Sequence, residues 1–492
     1  MNERCPGKRP TVLALSLILL LGTVLRLYGL ENQSLWNDEL ESWRQSSFDT
    51  PMEVLREGVI PNTHPPAFQL LLYGVVQCLG SREALLRLPS AVSGVLAILV
   101  IYLLGRRLFS HREGLLAAFF LAVLWAPIYY SQEARNYSLL LLFTELAAYF
   151  WLGMVLQTRE REPWKQRDVL GYILTALAAS YTHYFGLLLI ALQGLASILF
   201  ATVWRRDGKR YALVYTGIGL GYLPWLPAML EQLGHTQNIS WIHPPDITAF
   251  PAFITFALNR LKPMGILALL LFAYLIFHGL AALHRSGAGA WKSLLLSAEA
   301  LLAYWLLVPF AILYLISLVW TPMLTQRNLI ILLPPVYLLL ARAITQFPFS
   351  RGWRAGIALL LASVPLYHMV FVQGYYRYPH KEQYREAVRY VIDHYTEGSP
   401  SLIVGYAAYP EYFDYYFERF GSELRIDLVA GRSRDVKTLT TLLTHAKPER
   451  LWYISAHKTP SAAFLELLER EMLLLDKKSF LGAEVRLFAW PE

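Results

Sequence analysis

Two adjacent carboxylates, Asp38 and Glu39, follow the first apolar stretch of the chain. Neighbouring side chains on a helix point in different directions, so the pair suits two separate roles better than the sharing of one proton. One carboxylate could accept a proton from a hydroxyl nucleophile, while the other orients an acceptor or a metal ion. A solvated acidic turn would explain the same two residues without any function.

Two histidines, His64 and His183, occupy positions where the chain turns. His64 precedes two prolines, and a proline keeps the residue before it extended, which can aim the imidazole at a ligand. The same corner could simply start the apolar helix that follows. His183 lies in a short turn between two apolar stretches, where a single histidine is more often structural than a ligand.

Two arginines provide candidate phosphate ligands. Arg135 lies in the polar segment 131–137, together with Glu133 and Tyr137. A guanidinium suits a phosphate, with Glu133 holding it or meeting a sugar hydroxyl, although a buried ion pair is the alternative. Arg327 begins a later apolar stretch and is either a second phosphate ligand or an anchor at the membrane surface.

The sequence lacks two common catalytic signatures, a metal-ligand spacing of histidines and cysteines and a glycine-rich nucleotide loop. We therefore expect no nucleotide cofactor and an activated substrate that is carried by the membrane, and the use of a divalent metal stays open. The net charge of +8 does not indicate nucleic-acid binding, because the basic residues collect on one side of the predicted membrane.

Composition places these residues in a polytopic membrane protein. Of the 492 residues, 55% are hydrophobic and only 16% are charged, against about 25% charge in soluble domains. About 20 mainly apolar residues are needed to cross a bilayer. About eleven stretches are candidates, namely 11–30, 86–105, 114–130, 137–156, 169–182, 184–204, 211–230, 264–283, 294–320, 328–345 and 354–373. The first is predicted to be a retained anchor, since no signal-peptide cleavage site follows it.

Basic residues orient these spans. They cluster in every second loop, on the side of the basic N-terminus, near residues 106–112, 159–167, 205–210, 285–292 and 351–354. By the positive-inside rule this side is cytoplasmic, and we expect the candidate site residues to share one cavity on the outer side. The outer loop 31–85 is predicted to carry short helices along the membrane, including 67–79, and 50–53 resembles a capping box.

The C-terminal region changes character near residue 378, where charges return. Strand patterns near 401–406, 424–429, 451–455 and 484–488 alternate with helical patterns near 381–394, 411–420, 436–445 and 462–475. Such alternation is typical of a small α/β domain with a partly parallel sheet. We therefore predict a membrane domain over residues 1–377 and an extracytoplasmic α/β domain over residues 378–492, which is structural or docks an acceptor.

Five motifs occur in an order that resembles one family of membrane enzymes. They are DE after the first span, HPP, SQEARNY, THYFG, and RNL before a span with two prolines. This order is similar to that of the bacterial glycosyltransferase family 39 proteins, which are relatives of the protein O-mannosyltransferases and of the aminoarabinose transferase of lipid A. The resemblance covers roughly residues 12–372.

The resemblance implies a mainly helical GT-C fold and an inverting glycosyltransferase in the bacterial inner membrane. Such an enzyme takes a sugar from a polyprenyl-phosphate donor on the extracytoplasmic face and passes it to a hydroxyl of a protein, lipid or glycan. Asp38 then corresponds to the general base, with Glu39 beside it. The residues implied to bind the donor or its phosphate are Arg135, Arg327, Glu133, Tyr137, His64 and His183.

A transporter or flippase of a lipid-linked saccharide is the alternative from another functional class. Transporters place ionisable groups near the middle of the bilayer and often contain internal repeats. The sequence shows neither feature, because its polar residues gather at the ends of the apolar stretches. The pattern therefore favours an enzyme.

Overall fold

A computed structural model of the chain describes residues 8–234, 242–286, 297–396, 401–429, 435–446, 449–457, 460 and 462–491. The chain separates into two compact units. The membrane unit comprises Met1–Tyr28, Phe48–Gly80 and Leu85–Gln373. The sheet unit comprises Gly29–Ser47, Ser81–Ala84 and Gly374–Glu492. The segment that carries Asp38 and Glu39 therefore groups with C-terminal residues, which nothing in the sequence pattern indicated.

The membrane unit is helical, as expected for a chain whose backbone polar groups must be satisfied in lipid. Its helices are Lys8–Leu27, Pro51–Glu53, Val54–Val59, Ala67–Leu79, Glu83–Leu108, His111–Val123, Trp125–Ser131, Tyr137–Glu160, Gln166–Thr182, Tyr184–Trp204, Gly208–Tyr222, Leu223–Trp225, Leu226–Leu233, Ala249–Ala257, Lys262–Ser286, Ala298–Val319, Asn328–Leu332, Leu333–Gln346, Arg351–Tyr367 and His368–Val372. Large apolar side chains stay exposed on several of them, for example Leu13 and Phe277, which are 62% and 71% accessible. These surfaces suit contact with lipid.

Nine of the described helices are long and apolar enough to cross a membrane, or ten if His111–Val123 and Trp125–Ser131 form one bent span. The protein is thus a multi-pass membrane protein, close to the predicted count of about eleven. The remaining predicted stretch forms the helix Gln166–Thr182, which has 17 residues. At about 1.5 Å per residue it is shorter than the roughly 30 Å hydrocarbon core.

The bent pair has a local cause at Leu124, where the backbone is extended with φ −81° and ψ 148°. Pro127 in the next turn has no N–H and cannot continue the helical hydrogen-bond ladder through this point. The freed N–H of Trp125 instead donates to Asn259 Oδ1 at 2.7 Å. The two helices are bent by 58° at this break.

The predicted helical start at Thr50 is confirmed. The Glu53 N–H donates to Thr50 Oγ1 at 3.2 Å, and the Thr50 N–H donates to a Glu53 carboxylate oxygen at 3.2 Å. This reciprocal pair is a capping box, and Pro51 occupies the first helical position. The predicted short apolar helix also forms, over Ala67–Leu79.

The sheet unit contains the helix Asn37–Gln45 and the C-terminal helices Tyr384–His394, Glu411–Arg419, Asp435–Ala446 and Ala462–Glu471. Its strands are β1 (Ser401–Tyr406), β2 (Leu428–Val429), β3 (Arg450–Ala456), β4 (Leu473–Phe480) and β5 (Ala483–Ala489). The strand order is β2-β1-β3-β5-β4. Because β1 pairs in parallel with β2 and β3 while β5 is antiparallel to β3 and β4, the predicted partly parallel sheet is confirmed.

Strand β4 was not predicted, because its leucine-rich start continues the helical pattern of the preceding residues. The helix ends at Glu471, and β4 begins at Leu473. A tight turn, in which Gly482 has φ 65°, then leads from β4 into β5. Glycine adopts this left-handed conformation without steric cost. The resulting hairpin pairs Phe480 with Ala483.

Candidate functional site

A buried turn between two helices of the membrane unit presents Glu133 and Arg135. The Gln132 side chain donates to the Tyr28 carbonyl at 2.8 Å and so ties the turn to the end of the first helix. The Arg135 carbonyl accepts a hydrogen bond from Ser90 Oγ at 2.9 Å. These contacts fix the backbone on both sides of Glu133, which is 1% exposed.

Three elements that are distant in the sequence meet at Arg135. Its guanidinium lies 3.2 Å from His64 Nε2 and 5.9 Å from the centre of the Tyr137 ring. The His64 and His183 rings are 5.0 Å apart, and the Tyr137 and His183 rings are 6.3 Å apart. We call His64, Arg135, Tyr137 and His183 the histidine–arginine cluster. Four predicted donor-site residues are therefore brought together.

The backbone of the two histidines is held by neighbouring polar groups. Gln232 donates to the carbonyl of His64 at 3.2 Å, and its own side-chain oxygen accepts from the Tyr184 hydroxyl. Asn136 donates to the Thr182 carbonyl at 3.2 Å, one residue before His183. Hydrogen bonds from these side chains therefore hold the backbone turns that carry the two imidazoles.

Both imidazoles are neutral at neutral pH. Burial lowers the pKa of His183 from 6.5 to about 3, and the positive charges of Arg135 and Arg327 act in the same direction. Burial also lowers the pKa of His64 well below its usual range. The neighbouring His183 and the two guanidinium groups lower this pKa further. A second positive charge next to Arg135 is thereby avoided.

The hydrogen bonds then determine which ring nitrogens carry the protons. The Phe185 N–H donates to His183 Nδ1 at 3.1 Å, so the neutral His183 ring has its proton on Nε2. Arg135 can only donate, so His64 accepts through Nε2 and has its proton on Nδ1. Among the described residues, neither His183 Nε2 nor His64 Nδ1 has a hydrogen-bond partner, although both atoms are buried. Two such N–H donors beside a guanidinium are suited to an anion.

Arg327 precedes the short helix Asn328–Leu332 and acts electrostatically on both histidines. A further cation, Arg260, contacts the residue before Arg327 and was not predicted from the sequence. Its guanidinium lies 4.8 Å from the Trp125 ring and donates to Gln326 at 2.9 Å. The polar pair Asn259–Arg260 between two apolar helices was the signal that could have revealed it.

Asp38 and Glu39 lie in the first turn of Asn37–Gln45, in the sheet unit. Asp38 is partly exposed and accepts from the Asn37 side chain at 3.3 Å. Glu39 is fully buried, and its carboxylate lies 3.1 Å from Lys381 Nζ. Glu39 also accepts from the Trp36 N–H at 3.4 Å.

No group of three His, Cys, Asp or Glu side chains is arranged to hold a metal ion in the part of the chain that the structure describes. The ligands that the histidine–arginine cluster offers are two neutral imidazoles and a guanidinium, which suit an oxyanion better than a cation.

The helices and the small mixed sheet are similar to the GT-C fold of solved membrane glycosyltransferases. ArnT from Cupriavidus metallidurans, solved with undecaprenyl phosphate, matches with a TM-score of 0.60 at 13% identity, over 98% of this chain and 98% of that chain. The oligosaccharyltransferase AglB from Archaeoglobus fulgidus, solved with an inhibitory peptide and a dolichol-phosphate, matches with a TM-score of 0.57 at 14% identity, over 97% of this chain and 74% of that chain. The predicted fold class is confirmed.

The sequence itself matches a family model. Residues 63–229 match the family described as dolichyl-phosphate-mannose-protein mannosyltransferase. The matched range includes His64, Glu133, Arg135, Tyr137 and His183. The resemblance indicated by the motifs is therefore confirmed. Among curated proteins, none matches the sequence significantly.

Proposed function

We propose that the protein transfers a sugar from a polyprenyl-phosphate donor to an acceptor hydroxyl, with inversion at the anomeric carbon. The observation that carries this proposal is the histidine–arginine cluster, in which buried N–H donors and a guanidinium are arranged for an anion. The family match supports a lipid-linked sugar donor. The fold likeness to a protein solved with undecaprenyl phosphate supports a lipid phosphate as that anion.

In the proposed reaction the bond between the anomeric carbon and the phosphate oxygen breaks, and its electron pair goes to the phosphate. The acceptor oxygen bonds to the opposite face of the anomeric carbon. Its proton passes to the carboxylate of Asp38, which is the proposed general base. The products are the glycosylated acceptor and polyprenyl phosphate. The transition state carries positive charge on the sugar and growing negative charge on the phosphate.

Arg135 and Arg327 are proposed to stabilise the leaving phosphate. Charge that grows on the phosphate strengthens its hydrogen bonds to fixed donors, and one such donor typically contributes about 10²–10³-fold in rate. His64 and His183 add neutral donors without adding positive charge near the developing cation on the sugar. Glu133 and Tyr137 are proposed to orient Arg135 and the sugar.

The proposed location is the extracytoplasmic face of a bacterial inner membrane, with the N-terminus in the cytoplasm. The basic clusters in alternate loops support this orientation. The proposed domain division is a transferase domain over residues 1–377 and an extracytoplasmic α/β domain over residues 378–492. The acceptor is a hydroxyl of a protein, lipid or glycan.

The proposal is tested by turnover of purified protein in detergent with a radiolabelled polyprenyl-phosphate sugar. We expect release of polyprenyl phosphate that depends on an added acceptor. Asp38→Asn should reduce it by about 10²–10⁴-fold, the usual contribution of a general base. Asp49→Asn, at an exposed carboxylate of the same predicted outer loop, is the matched control and should leave turnover unchanged. Full turnover of Asp38→Asn would refute the assignment of the base.

The same assay separates the enzyme from a transporter or flippase. Detergent abolishes any gradient and any second compartment, so transport is not observed under these conditions. Release of polyprenyl phosphate then supports the transferase. Saturable binding of the donor without any release, in a monodisperse preparation, would support the transporter instead.

A further inference from the structure

We propose that Lys381 and Glu382 are positioning residues for Asp38, and that Glu39 serves the same purpose and not proton transfer. This inference rests on the proposed role of Asp38 as the general base. It assigns a catalytic contribution to the segment that leads into the C-terminal α/β region, although none of these three residues needs to touch the substrate.

The first observation is a buried ion pair. The side chains of Lys381 and Glu39 are 2% and 0% exposed, and Nζ and Oε1 are 3.1 Å apart. Removal of one partner would break this buried ion pair, which is strongly unfavourable. The first turn of Asn37–Gln45 is therefore tied to Lys381 by the residue that directly follows Asp38.

The second observation lies on the other side of Asp38. The Asn37 N–H, one of the N-terminal donors that a helix leaves unsatisfied, donates to Glu382 Oε2 at 3.1 Å. The other oxygen of Glu382 lies 2.6 Å from His457 Nδ1. Asp38 is thus placed between two residues that are both held by consecutive positions of the C-terminal segment.

The approach to this turn is also held by C-terminal residues. The Leu35 N–H donates to the Tyr416 hydroxyl at 2.7 Å, and that hydroxyl donates to Glu83 at 2.8 Å. The Tyr412 hydroxyl donates to Glu41 at 2.6 Å, one turn after Asn37. The backbone that carries Asp38 therefore has little freedom to move, as a base that must meet a hydroxyl in a defined geometry requires.

A displacement of about 1 Å at a reacting group can reduce turnover by about 100-fold. We therefore expect Lys381→Met and Glu39→Gln each to lower kcat by about 10–100-fold while the KM for the donor changes little. Lys381→Arg, which keeps the charge, should recover most of the activity. Lys437→Met, at an exposed lysine of the α/β region, is the matched control and should behave as the wild type.

The double variant Glu39→Gln/Lys381→Met separates positioning from proton transfer. If the two residues act only through each other, the double variant should be no less active than either single variant. If Glu39 transfers a proton itself, Glu39→Gln should be as inactive as Asp38→Asn. The losses caused by Glu39→Gln and by Lys381→Met should then multiply in the double variant. Multiplied losses, or wild-type kcat in Lys381→Met, would overturn the inference.

Hydrogen exchange provides a readout that does not depend on turnover. The amides of residues 37–45 should exchange faster in Lys381→Met than in the wild type and recover protection in Lys381→Arg. Unchanged exchange in Lys381→Met would contradict the positioning role. Absence of turnover in the wild type would instead refute the proposed function, so the two failures are distinguishable.

Discussion

The histidine–arginine cluster and the first turn of Asn37–Gln45 differ in how their buried polar groups are satisfied. In the cluster, His183 Nε2 and His64 Nδ1 have no hydrogen-bond partner among the described residues. In the turn, the carboxylate of Glu39 is paired with Lys381 and the Asn37 N–H with Glu382, whereas Trp36 Nε1 and Asn37 Oδ1 have no hydrogen-bond partner among the described residues. Buried polar groups are normally paired, so two imidazole donors without a partner beside a guanidinium indicate a place for an anion.

The difference indicates that the two regions have separate roles. The imidazole N–H groups of the cluster can donate to a bound anion, whereas Glu39 and the Asn37 N–H use their contacts to hold the backbone. A site of the first kind should lose function when a donor is removed. A site of the second kind should lose function when its internal pairs are broken.

Among the variants that test this comparison, the largest loss of activity is expected for Arg135→Gln. Arg135→Gln removes the charged donor of the cluster and should lower kcat/KM by about 10²–10³-fold, as removal of one preorganised donor does. Arg135→Lys should recover only part of the loss, because an ammonium lacks the planar fork of the guanidinium. Initial rates at several donor concentrations provide the measurement.

Arg285→Gln is the matched control, because Arg285 is an exposed arginine at the end of a membrane helix outside the candidate site. Its kcat/KM should equal that of the wild type. An Arg135→Gln protein that remains folded and keeps its kcat/KM would show that the cluster does not bind the leaving group, and the comparison between the two regions would fail.

A smaller effect is expected from packing around Gly94, next to Ser131 at the start of the segment that carries Arg135. A Cβ added at Gly94 would overlap Ser131 Oγ and would lie 3.0 Å from Arg26 Nε. Gly94→Ala should therefore lower the free energy of unfolding by about 1–3 kcal/mol, as overpacking of a core does. Thermal unfolding in detergent measures this change.

Gly356→Ala provides the comparison, since a Cβ at this helical glycine would meet nothing within 4 Å. Alanine favours a helix over glycine by up to about 1 kcal/mol, so this variant should be neutral or slightly stabilised. Equal destabilisation of both variants would mean that the helix around Gly94 is no more tightly packed than an open helix surface.

Local patterns predicted much of the fold. The membrane helices, the capping box at Thr50 and most strands depend on residues that are close in the sequence, so hydropathy and spacing were sufficient. The bend at Leu124 was not predicted because Asn259, which satisfies the Trp125 N–H, comes from a distant part of the chain. Strand β4 was missed because a short apolar run fits a helix or a strand equally well.

The candidate site was predictable to a similar extent. The motif order pointed to His64, Arg135, Tyr137 and His183, which the structure brings together. The ion pair between Glu39 and Lys381 had no signal, because neither residue reveals a distant partner through local spacing. The assignment of Asp38 as the general base stays a prediction that the Asp38→Asn experiment tests.

The smallest effect should appear in the pH dependence of stability. The pKa of His64 and His183 is lowered in the folded protein, to about 3 for His183, while an unfolded histidine titrates near 6.5. As the pH falls below 6.5, the unfolded chain takes up protons that the folded protein does not, so stability falls with pH. The slope is at most about 1.4 kcal/mol per pH unit for each histidine, between pH 6.5 and the folded pKa.

Unfolding of His183→Gln and His64→Gln should therefore depend less on pH between 6.5 and 5.5 than unfolding of the wild type. His284→Gln, which removes an exposed histidine at the end of a membrane helix, is the matched control. A wild-type slope in both cluster variants would mean that each imidazole takes up its proton over the same pH range in the folded and in the unfolded protein, and so becomes positively charged as the pH falls through 6.5. They would then bring positive charge to the cluster, and its two donors could not be assigned to neutral rings.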